Sequence, residues 1–181
     1  MRLFVAAELP GEVRDALAGW ARSAVGRGAD PRRVDREALH VTLCFLGEQP
    51  PSAVDRIGAV LRGNAELVAA VDELLVGVPV WLPPRRPRVL AVEVADPGGT
   101  LHALRDALVG ELEGLLDWEH AGRRERFRPH VTVARMRAGS QRARELPPTP
   151  PLSFAPAGAT LFRSLLEPQG ARYEALVSVA G

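Results

Sequence analysis

Lysine is missing from this chain, and all 23 of its basic residues are arginine. Cysteine, asparagine, isoleucine and tyrosine occur once each, and aromatic residues make up 5% of the whole. A lone Cys44 excludes an intramolecular disulfide, and histidines scattered without cysteine partners lack the spacing of a zinc site, so neither a metal nor a cofactor is called for. No run approaches the roughly 20 consecutive apolar residues a membrane span needs, and the opening MRLFVAAELPGEVRDAL has no signal-peptide pattern. The expectation is a soluble, cytoplasmic protein with no membrane role and no obligate protein partner evident. A formal charge of +1 argues against coating nucleic acid by bulk charge and leaves room for a local basic cleft. Guanidinium is the better bidentate partner for phosphate. The scarcity of Asn and Ile beside abundant Ala, Gly, Pro and Arg reads more simply as GC-rich coding, so the bias alone assigns no ligand.

What is present is 181 residues, 46% hydrophobic and 25% charged, the profile of one globular unit built from two small fused lobes over residues 1–181. LFVAAEL at 3–9 reads as a buried strand. Pro10 and Gly11 punctuate it before a helix with Val13, Leu17, Trp20 and Ala24 on one face. An arginine-rich loop then leads to the strand HVTLCFLG at 40–47. Ser52, with Asp55 three residues on, signals the start of a helix striped by Val54, Ile57 and Leu61.

The plan then recurs. RVLAVEVA at 88–95 is strand-like, DPGGT breaks the chain, and Leu101, Leu104, Leu108 and Leu112 follow at helical spacing before a charged loop delivers HVTVARMR at 130–137. Glu8 aligns with Glu93 at an offset of 85, and His40 with His130 at an offset of 90. Order and spacing therefore indicate an internal duplication. Further strands are expected at 73–82, 152–166 and 172–180, and PPTPP at 147–151 reads as a surface connection. The fold class is α+β: two lobes related by a pseudo-twofold axis, each a largely antiparallel sheet covered by helices, with a cleft between them.

Side chains alternate along a strand, so His40, Thr42 and Cys44 are expected on one face and Val41, Leu43 and Phe45 on the other. Likewise His130, Thr132 and Ala134 oppose Val131 and Val133. The aliphatic face anchors the core, and the other presents an imidazole and a hydroxyl to a ligand. A single strand histidine is ordinarily structural, but two in equivalent places of a duplicated unit point to a shared site. His102, in a leucine-rich helix, and His120, in an arginine-rich loop, have no such setting and read as surface or boundary residues.

These strands resemble the paired His-x-Thr signatures of the two-histidine (2H) phosphoesterase superfamily, in its LigT-like RNA 2′,3′-cyclic phosphodiesterase branch. MRLFVAAELP, the FLG after the first motif, RFRPH before the second and the late LFRSLLEPQGARYEAL extend the likeness over nearly the whole chain. The resemblance implies hydrolysis of RNA ends or nucleotides bearing a 2′,3′-cyclic phosphate to 2′-phosphomonoesters, with His40 as proton donor and His130 as proton acceptor. Two imidazoles with an unperturbed pKa near 6.5 suffice for such acid–base work, and the hydroxyls of Thr42 and Thr132 suit non-bridging phosphate oxygens. For Arg135 the resemblance implies phosphate binding, whereas alternation places it on the opposite face unless a bulge or the strand's end re-aims it; a surface ion pair is the alternative. Trp81, Trp118, Phe127 and Phe162 are candidates for base stacking or, more simply, core and edge aromatics. The arginine-rich loops at 32–36 and 123–128 could guide an RNA backbone or face solvent. Two other readings stand beside hydrolysis: a 2′-5′ RNA ligase running the reverse reaction, and a non-catalytic nucleotide-binding module.

Overall fold

The structure, a computed structural model, describes residues 1–25, 32–116, 127–136, 145–167 and 170–181. Trp118, His120 and the arginine-rich stretch 123–126 lie outside them. The chain runs β1 (Arg2–Glu8), α1 (Gly11–Val25), β2 (Arg32–Arg33), β3 (His40–Glu48), α2 (Val54–Gly63), α3 (Ala65–Ala69), β4 (Leu74–Leu82), β5 (Val89–Ala95), α4 (Thr100–Leu116), β6 (His130–Arg135), β7 (Ser153–Phe154), β8 (Gly158–Glu167) and β9 (Gly170–Ala180). Periodicity decides the helices. Val13, Leu17, Trp20 and Ala21 of α1 are buried on one face, as are Leu101, Leu104, Leu108 and Leu112 of α4. Ser52 does not cap a helix as expected: it falls inside a 3₁₀ turn, Pro51–Ala53, that leads into α2 without a side-chain cap.

All strand pairs are antiparallel and belong to one sheet in the order β7-β4-β5-β6-β3-β1-β8-β9, with β2 on β6. The two expected lobes are the two halves of this sheet, joined where β3 meets β6. That junction pairs Val41 with Val131, equivalent residues of the two copies. A local twofold axis passes between directly opposed residues of an antiparallel pair, so the duplication axis crosses the sheet there. Counting outward in opposite senses puts His40 across from Thr132 and His130 across from Thr42.

The copies do not fold side by side. Strand β4 follows the first copy in sequence but pairs with β5 of the second, and β8 follows the second copy but pairs with β1 of the first. The helices trade places too, since α1 touches β6 and α4 touches β3. Helices and sheet enclose the core on one face, with Val41, Leu43, Val131 and Val133 fully buried among Leu17, Ile57, Leu61 and Leu108. The opposite face stays open at the centre. Among the described residues no helix is long and apolar enough to cross a membrane.

Candidate active site

Both motif strands carry a bulge, and it sits in the same place in each. Opposite β1, Ala6 pairs with Thr42 and Val5 with Cys44, leaving Leu43 over; opposite β5, Ala91 pairs with Thr132 and Leu90 with Ala134, leaving Val133 over. An extra residue reverses the alternation beyond it. Cys44 and Ala134, expected on the ligand face, are therefore buried, and Phe45, expected in the core, is 66% exposed. Burial pushes the Cys44 thiol up to about 12 and leaves it inert. Arg135 is re-aimed by the same device, and it lines the central cleft with His40, Thr42, His130 and Thr132. Its Nη2 donates to the Tyr173 hydroxyl at 3.4 Å. Gly47, at φ 69°, follows a second irregularity of β3 against β1, in a conformation where a side chain would be strained.

Each histidine is tethered alike. His40 Nδ1 lies 2.8 Å from the carbonyl of Ala38, and His130 Nδ1 lies 2.8 Å from that of Arg128. A carbonyl can only accept, so Nδ1 carries the proton in both rings and Nε2 is left for the cleft. Each histidine is also paired across the ladder with a glutamate, His40 with Glu8 and His130 with Glu93. An arginine holds each glutamate, Arg14 at 3.1 Å and Arg128 at 2.5 Å. The Thr160 hydroxyl also donates to Glu8.

The surroundings of the rings differ. His40 sits 5.0 Å from the Phe4 ring, 5.3 Å from Tyr173 and 6.2 Å from Phe162. Burial, and to a lesser degree the positive charges of Arg135, His130 and Arg14, push its pKa down to about 4 against the opposing pull of the Ala38 carbonyl. Its bare Nε2 accepts from the Thr42 hydroxyl at 3.0 Å. His130 is half-buried, and its backbone tether is exposed.

The cleft has a volume of about 460 Å³, and Arg2 and Arg135 both line it. Phe45 stands between it and an apolar groove lined by Val80, Leu82 and Phe127. Of the aromatics expected to stack on bases, Phe162 is part of the box around His40 and Trp81 packs against the core. Phe127 lies edge-on to His102 at 5.1 Å. His102 pairs through Nδ1 with Asp96 at 2.6 Å, and the same carboxylate oxygen accepts its backbone N–H in the first turn of α4. It is a helix-start residue outside the cleft, as expected. Phe45 is the residue missed, because strict alternation hides it; the signal available was the strand FLG sequence, whose glycine permits irregular backbone. Among the described residues no group of three or more His, Cys, Asp or Glu could hold a metal ion.

One open sheet face bearing two tethered imidazoles, two hydroxyls and a guanidinium across a twofold axis is the architecture of a two-histidine phosphoesterase. The chain matches the model of the 2′-5′ RNA ligase superfamily over residues 10–165, and it belongs to that family. It is similar to an RNA 2′,3′-cyclic phosphodiesterase of Thermus thermophilus, 34% identical over 97% of this chain and 88% of the relative. The crystal structure of TT0787 of the same organism superposes with a TM-score of 0.81 at 31% identity, covering 99% of this chain and 97% of that one. LigT of E. coli, solved with 3′-AMP, superposes with a TM-score of 0.77 at 26% identity over 99% and 97%.

Proposed function

We propose that this protein hydrolyses 2′,3′-cyclic phosphate ends of RNA to 2′-phosphomonoesters, with His40 as general acid and His130 as general base. The observation that carries this reading is the pair of carbonyl-tethered histidines, both lining one cleft with Thr42, Thr132 and Arg135. Opening the cyclic ester in line requires a base beside the attacking water and an acid beside the departing ribose oxygen, on opposite sides of phosphorus. His130 Nε2 takes a proton from water as its oxygen bonds to phosphorus; the bond from phosphorus to the 3′ oxygen breaks, and that oxygen takes the proton on His40 Nε2. His130, whose backbone tether is exposed, is the ring placed to meet water, and the aromatic box around His40 makes its imidazolium a strong acid once formed. The anionic phosphate supplies the charge that favours that protonation, and the Thr42 hydroxyl, released from Nε2, turns to a phosphate oxygen with Thr132 and Arg135. The exposed face of Phe45 at the cleft mouth offers a platform for the base.

The test is an RNA oligonucleotide with a 2′,3′-cyclic phosphate end, incubated with chelator present. The expected product is the 2′-phosphomonoester, formed at an undiminished rate. Binding without turnover would instead support a nucleotide-binding module. The name of the matched family favours one second reading, joining of a 5′-hydroxyl end through a 2′-5′ linkage. It uses the same site with the 5′-hydroxyl attacking phosphorus in place of water while the bond to the 3′ oxygen breaks as before, and would appear as a longer product when a 5′-hydroxyl acceptor is supplied.

A further inference from the structure

At one end of the cleft, past Arg135 and Tyr173, the surface sinks into a side pocket of about 230 Å³. Val34, Ala38, Arg135, Ala171 and Tyr173 line both hollows, so the two are continuous. The side pocket gathers Arg32, Arg33, Arg135 and Arg172 against Asp35 and Glu37. Glu37 is already engaged, by Arg14 at 3.2 Å and Arg36 at 2.5 Å. Arg32 and Arg33 form β2, whose pairing with Arg135 and Ala134 ties them to the strand that carries the cleft's own cation. Among the described residues neither has an acidic partner. A concave pocket lined by guanidinium groups focuses positive potential, and a forked guanidinium matches phosphate oxygens in pairs.

We propose that this pocket is a second phosphate subsite, which holds the phosphate on the 5′ side of the nucleotide whose cyclic phosphate is opened in the cleft. The proposal rests on the hydrolase reading given above and narrows its substrate to nucleotides that carry a 5′ phosphate, as the last residue of an RNA strand does. Two phosphates of one nucleotide repel each other, and Arg135 at the shared wall with β2 behind it supplies separate cations to the two. Two arginines outside this pocket provide a charge-matched control. Arg85 and Arg86 lie exposed on the turn between β4 and β5 and line neither hollow.

The experiment compares kcat/KM for a nucleoside 2′,3′-cyclic phosphate with a 5′-hydroxyl and for the same compound with a 5′-phosphate. A dinucleotide with a cyclic end serves as third substrate and separates an internucleotide diester from a terminal monoester. The native protein is expected to prefer the two 5′-phosphorylated substrates by about ten-fold, with a preference that declines as salt is raised. Arg32→Ala with Arg33→Ala should bring the ratio close to one, Arg32→Lys with Arg33→Lys should restore part of it, and Arg85→Ala with Arg86→Ala should leave the ratio as it was. The subsite is overturned if the native protein shows no preference, if the β2 alanine variant slows all substrates alike, or if the turn variant removes the preference as well. Failure of the native protein to turn over any of the three compounds would sink the hydrolase reading itself, and the subsite with it.

Discussion

At the residue scale, His40 and His130 share a backbone tether and differ in what surrounds the ring. Acid and base each supply about 10²- to 10⁴-fold, so His40→Ala and His130→Ala should each cost roughly 3 to 5 kcal/mol of barrier. The double variant should fall little further than either single one, because the two act on one displacement. Single-turnover rates with the cyclic-ended oligonucleotide check this, and a variant close to native rate would remove its residue from the chemistry. The environment of His40 makes a second prediction. Its folded pKa of about 4 lies below its ordinary 6.5, so the unfolded chain binds the extra proton between those values. Stability is then complete above about 6.5 and declines as pH falls toward 4. Urea denaturation across that window should show this slope, and His40→Gln should flatten it. In NMR titrations the His40 ring should change charge near 4 in the free protein and at higher pH when inorganic phosphate is added. A free-protein titration at the ordinary value would contradict the box around the ring.

At the element scale, the paired bulges decide which side chains reach the cleft. Leu43 and Val133 are the supernumerary residues, and beyond them Phe45 and Arg135 turn outward at equivalent points of the two copies. The duplicated strand thus offers an aromatic face on one side of the axis and a cation on the other. Phe45→Ala should raise KM for a cyclic-ended oligonucleotide by about ten-fold, the scale of one lost base–aromatic contact, while the melting temperature holds because the ring is 66% exposed. Arg135→Ala should lower kcat/KM about ten-fold or more, and Arg135→Lys should recover only part of it, since an ammonium cannot fork to two oxygens. Steady-state kinetics with thermal melts separate both from misfolding. Alternation read from sequence placed His40, Thr42, His130 and Thr132 correctly because all four precede the bulge. It failed for Cys44, Phe45 and Ala134 because a bulge depends on how the neighbouring strand is hydrogen-bonded, which no local pattern records.

At the scale of the whole molecule, the exchange of β4 and β8 binds the two copies into one sheet. Strand β4 pairs only with β5 and β7 among the described strands, both of which come later in the chain. A fragment ending at residue 87 therefore leaves β4 without a ladder and β1 without β8. Such a fragment, assayed by circular dichroism and amide NMR dispersion, should be unfolded alone and gain structure when mixed with residues 88–181. The intact chain should unfold in a single transition, coincident by fluorescence and circular dichroism. An independently folded first half would refute the exchange as a stabilising feature.

The sequence by itself determined the duplication, the helix faces and the two histidine–threonine pairs, because periodicity and repeated spacing are local properties that a chain carries wherever it folds. It also held the family likeness, which the match over residues 10–165 bears out. Only the tertiary structure decided that equivalent valines meet at the axis, that the trailing strands cross to the opposite copy, that Arg135 and Phe45 line the cleft, and that, among the described residues, aromatic rings enclose one imidazole and not the other. Each of these depends on which strand lies next to which, and pairing between segments far apart in the chain is settled by the packing of the whole core.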